Sequence, residues 1–381
     1  MSRRLETVRL TANFKLDGSV PGNLFQTYKQ ILDELLDYAC DRGISSFKRL
    51  KSEKYYDLRA RYPNLPSHYI YTACQMSCSI YKTFRKLRRR GRAKTEKPFF
   101  KKNVILLDDN VFRVDFDRWE ASIATEFGRM RLRILYGTYH ERFKSMKVGQ
   151  AWLVRRHDGC YLKAVFSKVV GVAEPNGKAL AIDVNENGVA YGSEEKTSIL
   201  KTGERTIRTA YFLKRRKLQS KLRLNEKPIM AKYRGREARR VEAIYHKVVN
   251  EIIEEAKGHG YSAIVLEDLK HIRKHMRKPR GLNGRLNRWS FRKLQQIIEY
   301  KAKFNGLAVV YVNAKGTSSL CPKCRVNLSP SGYRLMKCPE CGLEEDRDII
   351  AVRNLLQKYQ TDVPSSSVQG ESPPMTRGGK E

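Results

Sequence analysis

Four cysteines, Cys321, Cys324, Cys338 and Cys341, form two Cys-x-x-Cys pairs with thirteen residues between them. Each short gap lets both sulfurs of a knuckle reach one ion, and the long gap makes the hairpin joining the knuckles, so the set suits tetrahedral zinc. Pro322 and Pro339 inside the knuckles and Gly342 after the second are turn residues that aim sulfur at a metal. A full thiolate shell leaves no open position for water or substrate, which makes the expected Zn2+ structural.

The other chemistry-bearing residues are acids. Asp183 closes the apolar run Ala-Leu-Ala-Ile-Asp, Glu267 closes Ala-Ile-Val-Leu-Glu, and Asp346 and Asp348 follow the second knuckle. Carboxylates at the ends of sheet strands point into the crevice where α/β proteins bind ligands. Any one of them alone reads most simply as a cap or a surface turn, but together they form a carboxylate set if the strands are neighbours. Phosphodiester hydrolysis needs an activated water and a stabilised leaving oxyanion, and two Mg2+ ions about 3.5–4 Å apart serve both. Mg2+ prefers hard oxygen ligands and keeps several waters, so a few acids suffice. On a helix Asp346 and Asp348 lie about 200° apart. Asp348 shares its face with Ala351, Val352 and Leu355, so it is expected to be the ligand and Asp346 the N-cap.

The 381-residue chain has 76 Lys+Arg against 40 Asp+Glu, a formal charge of +36, with 41% hydrophobic residues. It can bury a sizeable core, and its charge calls for a polyanionic partner, which points to nucleic acid. No apolar run approaches the ~20 residues of a spanning helix, so no membrane is expected, nor does the N-terminus read as a secretory signal. Cys40, Cys74, Cys78 and Cys160 are scattered among apolar segments and read as reduced core thiols of a cytosolic protein.

The elements that must position these groups fall into three regimes. A strand over residues 5–16 precedes helices beginning near 24 and 45 and a long one over 67–90, which Ser67 can cap. Short strands with period two follow from 104 to 167, suggesting a small barrel or curved sheet that includes the first strand. After 173 come a hairpin over 179–192, helices over 206–224 and 232–258, a strand over 262–267, a helix over 287–304, a strand over 307–312 and a last helix over 348–359. Strands separated by helices argue an α/β core. The expectation is therefore a multidomain α+β protein. Residues 1–20 and 98–175 form a β-barrel with a helical lobe, 21–97, inserted; residues 176–360 form an α/β domain with a zinc ribbon, 313–345, inserted; residues 361–381 form a disordered tail.

At these residues the chain resembles the TnpB family, compact RNA-guided nucleases encoded by insertion sequences and related to type V CRISPR effectors. The matching pieces are Ala-Ile-Asp183, Ile-Val-Leu-Glu267-Asp-Leu, and Asp346-Arg-Asp348 with Ala351 and Asn354. Trp289-Ser-Phe291-Arg-Lys-Leu, Glu299-Tyr-Lys-Ala-Lys and Gly316-Thr-Ser-Ser-Leu-Cys321 fit as well, and the knuckles lie where that family inserts its ribbon. The likeness covers about 179–356. It departs at Ala181 and Asn185 beside the first aspartate, at Arg325 where a glycine is usual, and at Ile350 where an asparagine is usual.

The resemblance implies an RNase H-like (RuvC) nuclease domain with Asp183, Glu267 and Asp348 as catalytic Mg2+ ligands. It further implies a guide RNA and target double-stranded DNA as partners, no small-molecule cofactor, and a place in the prokaryotic cytoplasm with the nucleoid. Base pairing delegates sequence reading to RNA and leaves the protein mainly backbone contacts. The alternatives are a nuclease-inactive RNA-guided DNA-binding repressor of the same build and a strand-joining transposase.

Three cationic stretches fit that partner: 82–102, with eleven basic residues and one acid; 201–240, with fifteen and three; and 269–293, with ten and none. The acids that would form i,i+4 pairs are scarce, so phosphate is the better counter-charge. Candidate contacts are Arg88, Arg89, Arg90, Lys214, Arg215, Arg216, Arg239, Arg240, Lys274, Arg277, Lys278 and Arg288. Tyr211, Phe212, Tyr233, Trp289 and Phe291 either stack on bases or pack, and residues 271–287 are a candidate lid over the cleft.

Overall fold

The computed structural model describes residues 3–175, 178–220, 227–270 and 280–362. The chain divides into two compact units, Thr7–Lys168 on one side and Val169–Glu381 with Met1–Glu6 on the other.

The first unit is built on β1 (Arg3–Asp17), followed by α1 (Gly22–Asp41), α2 (Phe47–Arg61) and α3 (Ser67–Arg89). Then come β2 (Val104–Leu107), β3 (Phe112–Asp115), β4 (Glu120–Thr125), β5 (Gly128–Leu135), the single turn α4 (Thr138–Glu141), β6 (Lys147–Arg156) and β7 (Gly159–Ala173). The seven strands form one sheet in the order β2-β6-β7-β1-β5-β4-β3. The first strand therefore sits at the centre of the sheet, and the three helices are inserted between it and β2. A closed barrel would add a β2–β3 ladder, which these pairings do not include.

The helices bury the stripe that periodicity marks, with Leu24, Tyr28, Ile31, Leu35, Tyr69 and Cys74 in the core. The Tyr69 hydroxyl donates to the Ala124 carbonyl at 2.6 Å, tying α3 to the sheet. Ser67 is the first residue of α3 and makes no capping hydrogen bond; Pro66 occupies the N-cap, so the expected cap is not formed.

The second unit contains β8 (Ala179–Val184), β9 (Gly188–Gly192), β10 (Thr197–Lys201), α5 (Glu204–Gln219), α6 (Lys227–Gly258) and β11 (Ala263–Glu267). It continues with α7 (Arg280–Arg288), α8 (Phe291–Phe304), β12 (Ala308–Val312), β13 (Ser329–Pro330), β14 (Leu335–Lys337), β15 (Glu344–Asp346) and α9 (Arg347–Asp362). Five strands form a mixed sheet in the order β10-β9-β8-β11-β12. The β8–β9 and β9–β10 pairs are antiparallel and the β8–β11 and β11–β12 pairs parallel. The three ribbon strands form a separate antiparallel sheet.

Alternation along the strands decides which residues face the site. Leu180, Ile182, Ile264 and Leu266 join the apolar cluster built with Tyr245, Val249, Ile252 and Ile253 of α6 and Leu294 and Ile298 of α8. Ala181, Asp183, Val265 and Glu267 therefore point to the other face, where α9 packs against β8, β11 and β12.

Several elements differ from the sequence expectation. β10 is an added edge strand, paired with β9 from Thr197 to Lys201. The helix expected over 287–304 breaks into α7 and α8, because the Ser290 N–H is taken by Glu204 Oε1 at 3.0 Å. The last helix runs on through Asp362, two residues into the expected tail. The remainder of that tail lies outside the described residues, as does the first part of the candidate lid, 271–279.

Candidate active site

Asp183 lies on the last turn of the pleat in β8, 7% exposed, and Glu267 ends β11. The parallel ladder pairs Ile182 with Leu266, so the two acids are the next residues on hydrogen-bonded neighbours, about 4.8 Å apart at the backbone, on the same face. Asp183 Oδ2 accepts from Asn185 Nδ2 at 2.7 Å, and Glu267 Oε1 accepts from the Thr317 hydroxyl at 2.5 Å. Burial and then the charge of Glu267 push the Asp183 carboxyl up to about 7. Burial likewise raises Glu267, against the opposing pull of Thr317, Lys358 and Arg347. Asp183 is buried and Glu267 half-buried, and a carboxyl whose ionisation a neighbouring carboxylate opposes is a candidate partner for a cation.

The third acid arrives on α9. Asp346 Oδ1 accepts the Asp348 N–H at 2.7 Å from the position before the helix, so Asp346 acts as the cap, in agreement with the helical-face argument. Asp348 is 6% exposed and receives a guanidinium hydrogen bond from Arg334. Arg334 also pairs with Asp346 at 3.6 Å, and its carbonyl accepts the Arg347 N–H at 2.8 Å. It comes from the ribbon turn before β14, with φ of +65°. Sequence reasoning missed Arg334, because nothing in Ser-Gly-Tyr-Arg separates it from the chain's many other cations.

The four cysteines are, among the described residues, the group of potential ligands whose donor atoms all lie within 4.8 Å of one another. None is in a disulfide, and Cys321 Sγ and Cys341 Sγ are 3.6 Å apart. A tetrahedron with Zn–S of ~2.3 Å has edges of about 3.8 Å, so the thiols fit zinc. A hydrogen bond with Cys341, followed by burial and a hydrogen bond with Cys338, pushes the Cys324 thiol up to about 12. The residues after the two knuckles, Arg325 and Gly342, both adopt left-handed φ, +64° and +69°. The strain that Arg325 accepts there is offset by its hydrogen bond to Asn354 Oδ1 at 3.1 Å. Ile350 is fully buried with Cys321, Leu328 and Cys338, so the side chain standing where an asparagine is usual staples the ribbon to α9.

The cationic candidates separate by environment. Arg88 and Arg89 end α3 and Arg90 follows, all exposed, as are Lys214, Arg216, Arg239 and Arg240 on α5 and α6. Arg215 turns inward to Glu237, which also holds Arg208 at 3.1 Å, so its charge is internal rather than available to phosphate. Arg288 lies over the Phe212 ring at 4.3 Å, and Phe291 is core. Lys274, Arg277 and Lys278 lie outside the described residues. Among the described residues no helix is long and apolar enough to cross a membrane.

Comparison with known proteins gives the class first. A solved structure described as the mini-RNA-guided endonuclease CRISPR-Cas_phi3 has TM-score 0.51 at 11% identity over 95% of this chain and 94% of its own, so the two share a fold. The Cas12f1-like TNB domain model matches residues 291–355, and a model for the uncharacterized protein MJ0013 family matches 24–123. TnpB-like protein MJ0751 of Methanocaldococcus jannaschii is 42% identical over 192 residues, 48% of this chain and 69% of that protein. The CRISPR-associated endodeoxyribonuclease Cas12f1 of Sulfoacidibacillus thermotolerans is 32% identical over 114 residues, 29% of this chain and 25% of that one. The chain belongs to the TnpB family.

Proposed function

We propose that this protein is an RNA-guided, Mg2+-dependent DNA endonuclease of the transposon-encoded kind, with Asp183, Glu267 and Asp348 as its metal-binding acids. The observation that carries the reading is the placement of Asp183 and Glu267 at the ends of adjacent parallel strands, on the face against which the helix bearing Asp348 packs. The strand order β10-β9-β8-β11-β12, an antiparallel meander followed by parallel strands, supports reading this sheet as an RNase H-like nuclease core. Residues 176–360 would be that domain with the ribbon, 313–345, inserted. The seven-stranded sheet, 1–20 and 98–175, and the helical lobe, 21–97, would hold the RNA and the DNA beside the target.

The hard oxygens of the three acids fit Mg2+, which when bound would activate water and stabilise the leaving oxygen. The chain's own part is to hold these oxygens in place. Asn185 orients Asp183, Thr317 orients Glu267, and the capped first turn of α9 presents Asp348. Arg334 and Arg347 add positive charge beside a phosphate-binding cleft: both act on the Asp183 carboxylate, and Arg347 acts on Glu267 as well. The zinc knuckles fix the turn that carries Arg334. The exposed cations Arg88, Arg89, Arg90, Lys214, Arg216, Arg239 and Arg240 would meet the phosphate backbones of guide RNA and target duplex.

The test is to purify the protein with its RNA, sequence that RNA, and offer a duplex matching its variable end with Mg2+. A discrete RNA with a variable 3′ end and cutting only of the matched duplex is the expected result. Random cellular RNA and no guided cutting would refute the proposal.

A further inference from the structure

The ribbon touches the acid site at a second place besides Arg334, through a residue with no charge. Thr317 stands between β12 and the first knuckle, 3% exposed, and its hydroxyl, with one proton to give, donates to Glu267 Oε1 at 2.5 Å in preference to the Ala314 carbonyl, which lies 3.0 Å away. The backbone around it is clamped from α9. Asn354, fully buried, spends both amide hydrogens on the carbonyls of Thr317 and Leu320, each at 2.8 Å, and its oxygen accepts from Arg325. Leu320 is followed directly by Cys321, whose N–H closes the knuckle onto the Val326 carbonyl at 2.8 Å. A continuous run of buried hydrogen bonds thus joins the zinc knuckle to one of the three acids.

We infer that Thr317 is the positioning residue of Glu267, set in place by Asn354 and the zinc-closed knuckle, so that the ribbon governs the affinity of the acid site for its divalent ion. This rests on the reading of Glu267 as a metal ligand. A carboxylate ligand with a free torsion offers its lone pairs in many directions, and one donor fixed on one oxygen leaves the other oxygen aimed into the site. Loss of such a supporting partner typically weakens metal binding about 10–100-fold. Thr317 makes its contact through the hydroxyl alone, so serine retains the function and valine, of equal shape, lacks it.

The experiment uses the full chain purified with its RNA, with Mn2+ as the probe ion followed by electron paramagnetic resonance, alongside zinc content and guided cleavage. Thr317→Val is expected to bind Mn2+ about 10–100-fold more weakly with its zinc intact, to need correspondingly more Mg2+ for half-maximal cutting, and to bind RNA as before. Thr317→Ser is expected to restore the ion affinity. Asn354→Asp, which keeps the acceptor for Arg325 and loses both amide hydrogens that hold the Thr317 and Leu320 carbonyls, is expected to weaken Mn2+ binding with zinc retained. Unchanged Mn2+ affinity in Thr317→Val, or equal loss in the valine and serine variants, would overturn the inference. Glu267→Gln separates the two levels: if it binds Mn2+ as the unaltered protein does, the reading of Glu267 as a ligand fails, whereas if it alone loses the ion, only the role of Thr317 fails.

Discussion

Replacing Asp183 by asparagine should stabilise the protein while destroying its activity. The carboxyl is buried and pushed up from 3.8 to about 7 by burial and by Glu267. Because the folded state holds the proton more tightly than the unfolded chain does, this group stabilises fully below pH 3.8, and the benefit is lost as pH rises to about 7. At about 1.36 kcal/mol for each pH unit, the interval from 3.8 to about 7 corresponds to a cost of at most roughly 4 kcal/mol above neutrality. The amide has the same shape, carries no charge, and can still accept from Asn185. Without Mg2+ and with zinc retained, Asp183→Asn should therefore melt higher at pH 8, by up to roughly 8–16 °C for a unit of this size. The difference should shrink toward zero at pH 4. Differential scanning calorimetry across that range reads both. Added Mg2+ at a hundredfold excess over its dissociation constant should stabilise the unaltered protein by about 2.7 kcal/mol, raising its melting temperature, and leave the variant unmoved. A variant less stable than its parent at pH 8, or a difference independent of pH, would refute the reasoning.

Further outcomes follow from the same geometry. Asp346→Ala should cost about 1 kcal/mol in urea unfolding, through the lost cap, yet keep measurable cutting, whereas Asp348→Ala should abolish cutting at little cost in stability. Glu204→Ala should be among the most destabilising single changes, about 3–5 kcal/mol by urea midpoint, because the 1%-exposed acid joins Arg208, Tyr245 and Ser290. The purified protein should contain one zinc per chain by elemental analysis, and Cys324→Ser should lose it together with cutting.

The part of the site that was legible in sequence is the part whose signal is local. Metal-ligand spacing is fixed by two short knuckles, so the cysteine set stands out without any knowledge of the fold. Asp183 and Glu267 stand out because an acid ending an apolar strand contradicts its surroundings, and period two then sends both to one face. The choice between Asp346 and Asp348 as cap followed from helical rotation. What sequence left hidden is set by tertiary contact. Thr317 and Arg334 acquire their roles only once the ribbon folds back on β11 and α9, and the break before α8 exists because Glu204, far away in the chain, captures the Ser290 N–H. Arg215 read as a phosphate contact because charge patterning along a helix does not reveal that Glu237 waits on the neighbouring one. Ile350 and Arg325, departures from the usual family pattern, become intelligible as packing on the knuckle and a hydrogen bond to Asn354.

The proposal at the centre of this account is that Asp183 and Glu267, at the ends of adjacent strands, and Asp348, on the helix packed against that sheet, cut DNA under RNA guidance. Its most direct measurement is cleavage of a guide-matched duplex in Mg2+ by the protein–RNA complex and by Asp183→Ala, Glu267→Ala and Asp348→Ala complexes of equal RNA content. The account predicts cutting by the unaltered complex and none by the three variants, with target binding retained in all. Undiminished cutting by the Asp183→Ala complex would contradict it.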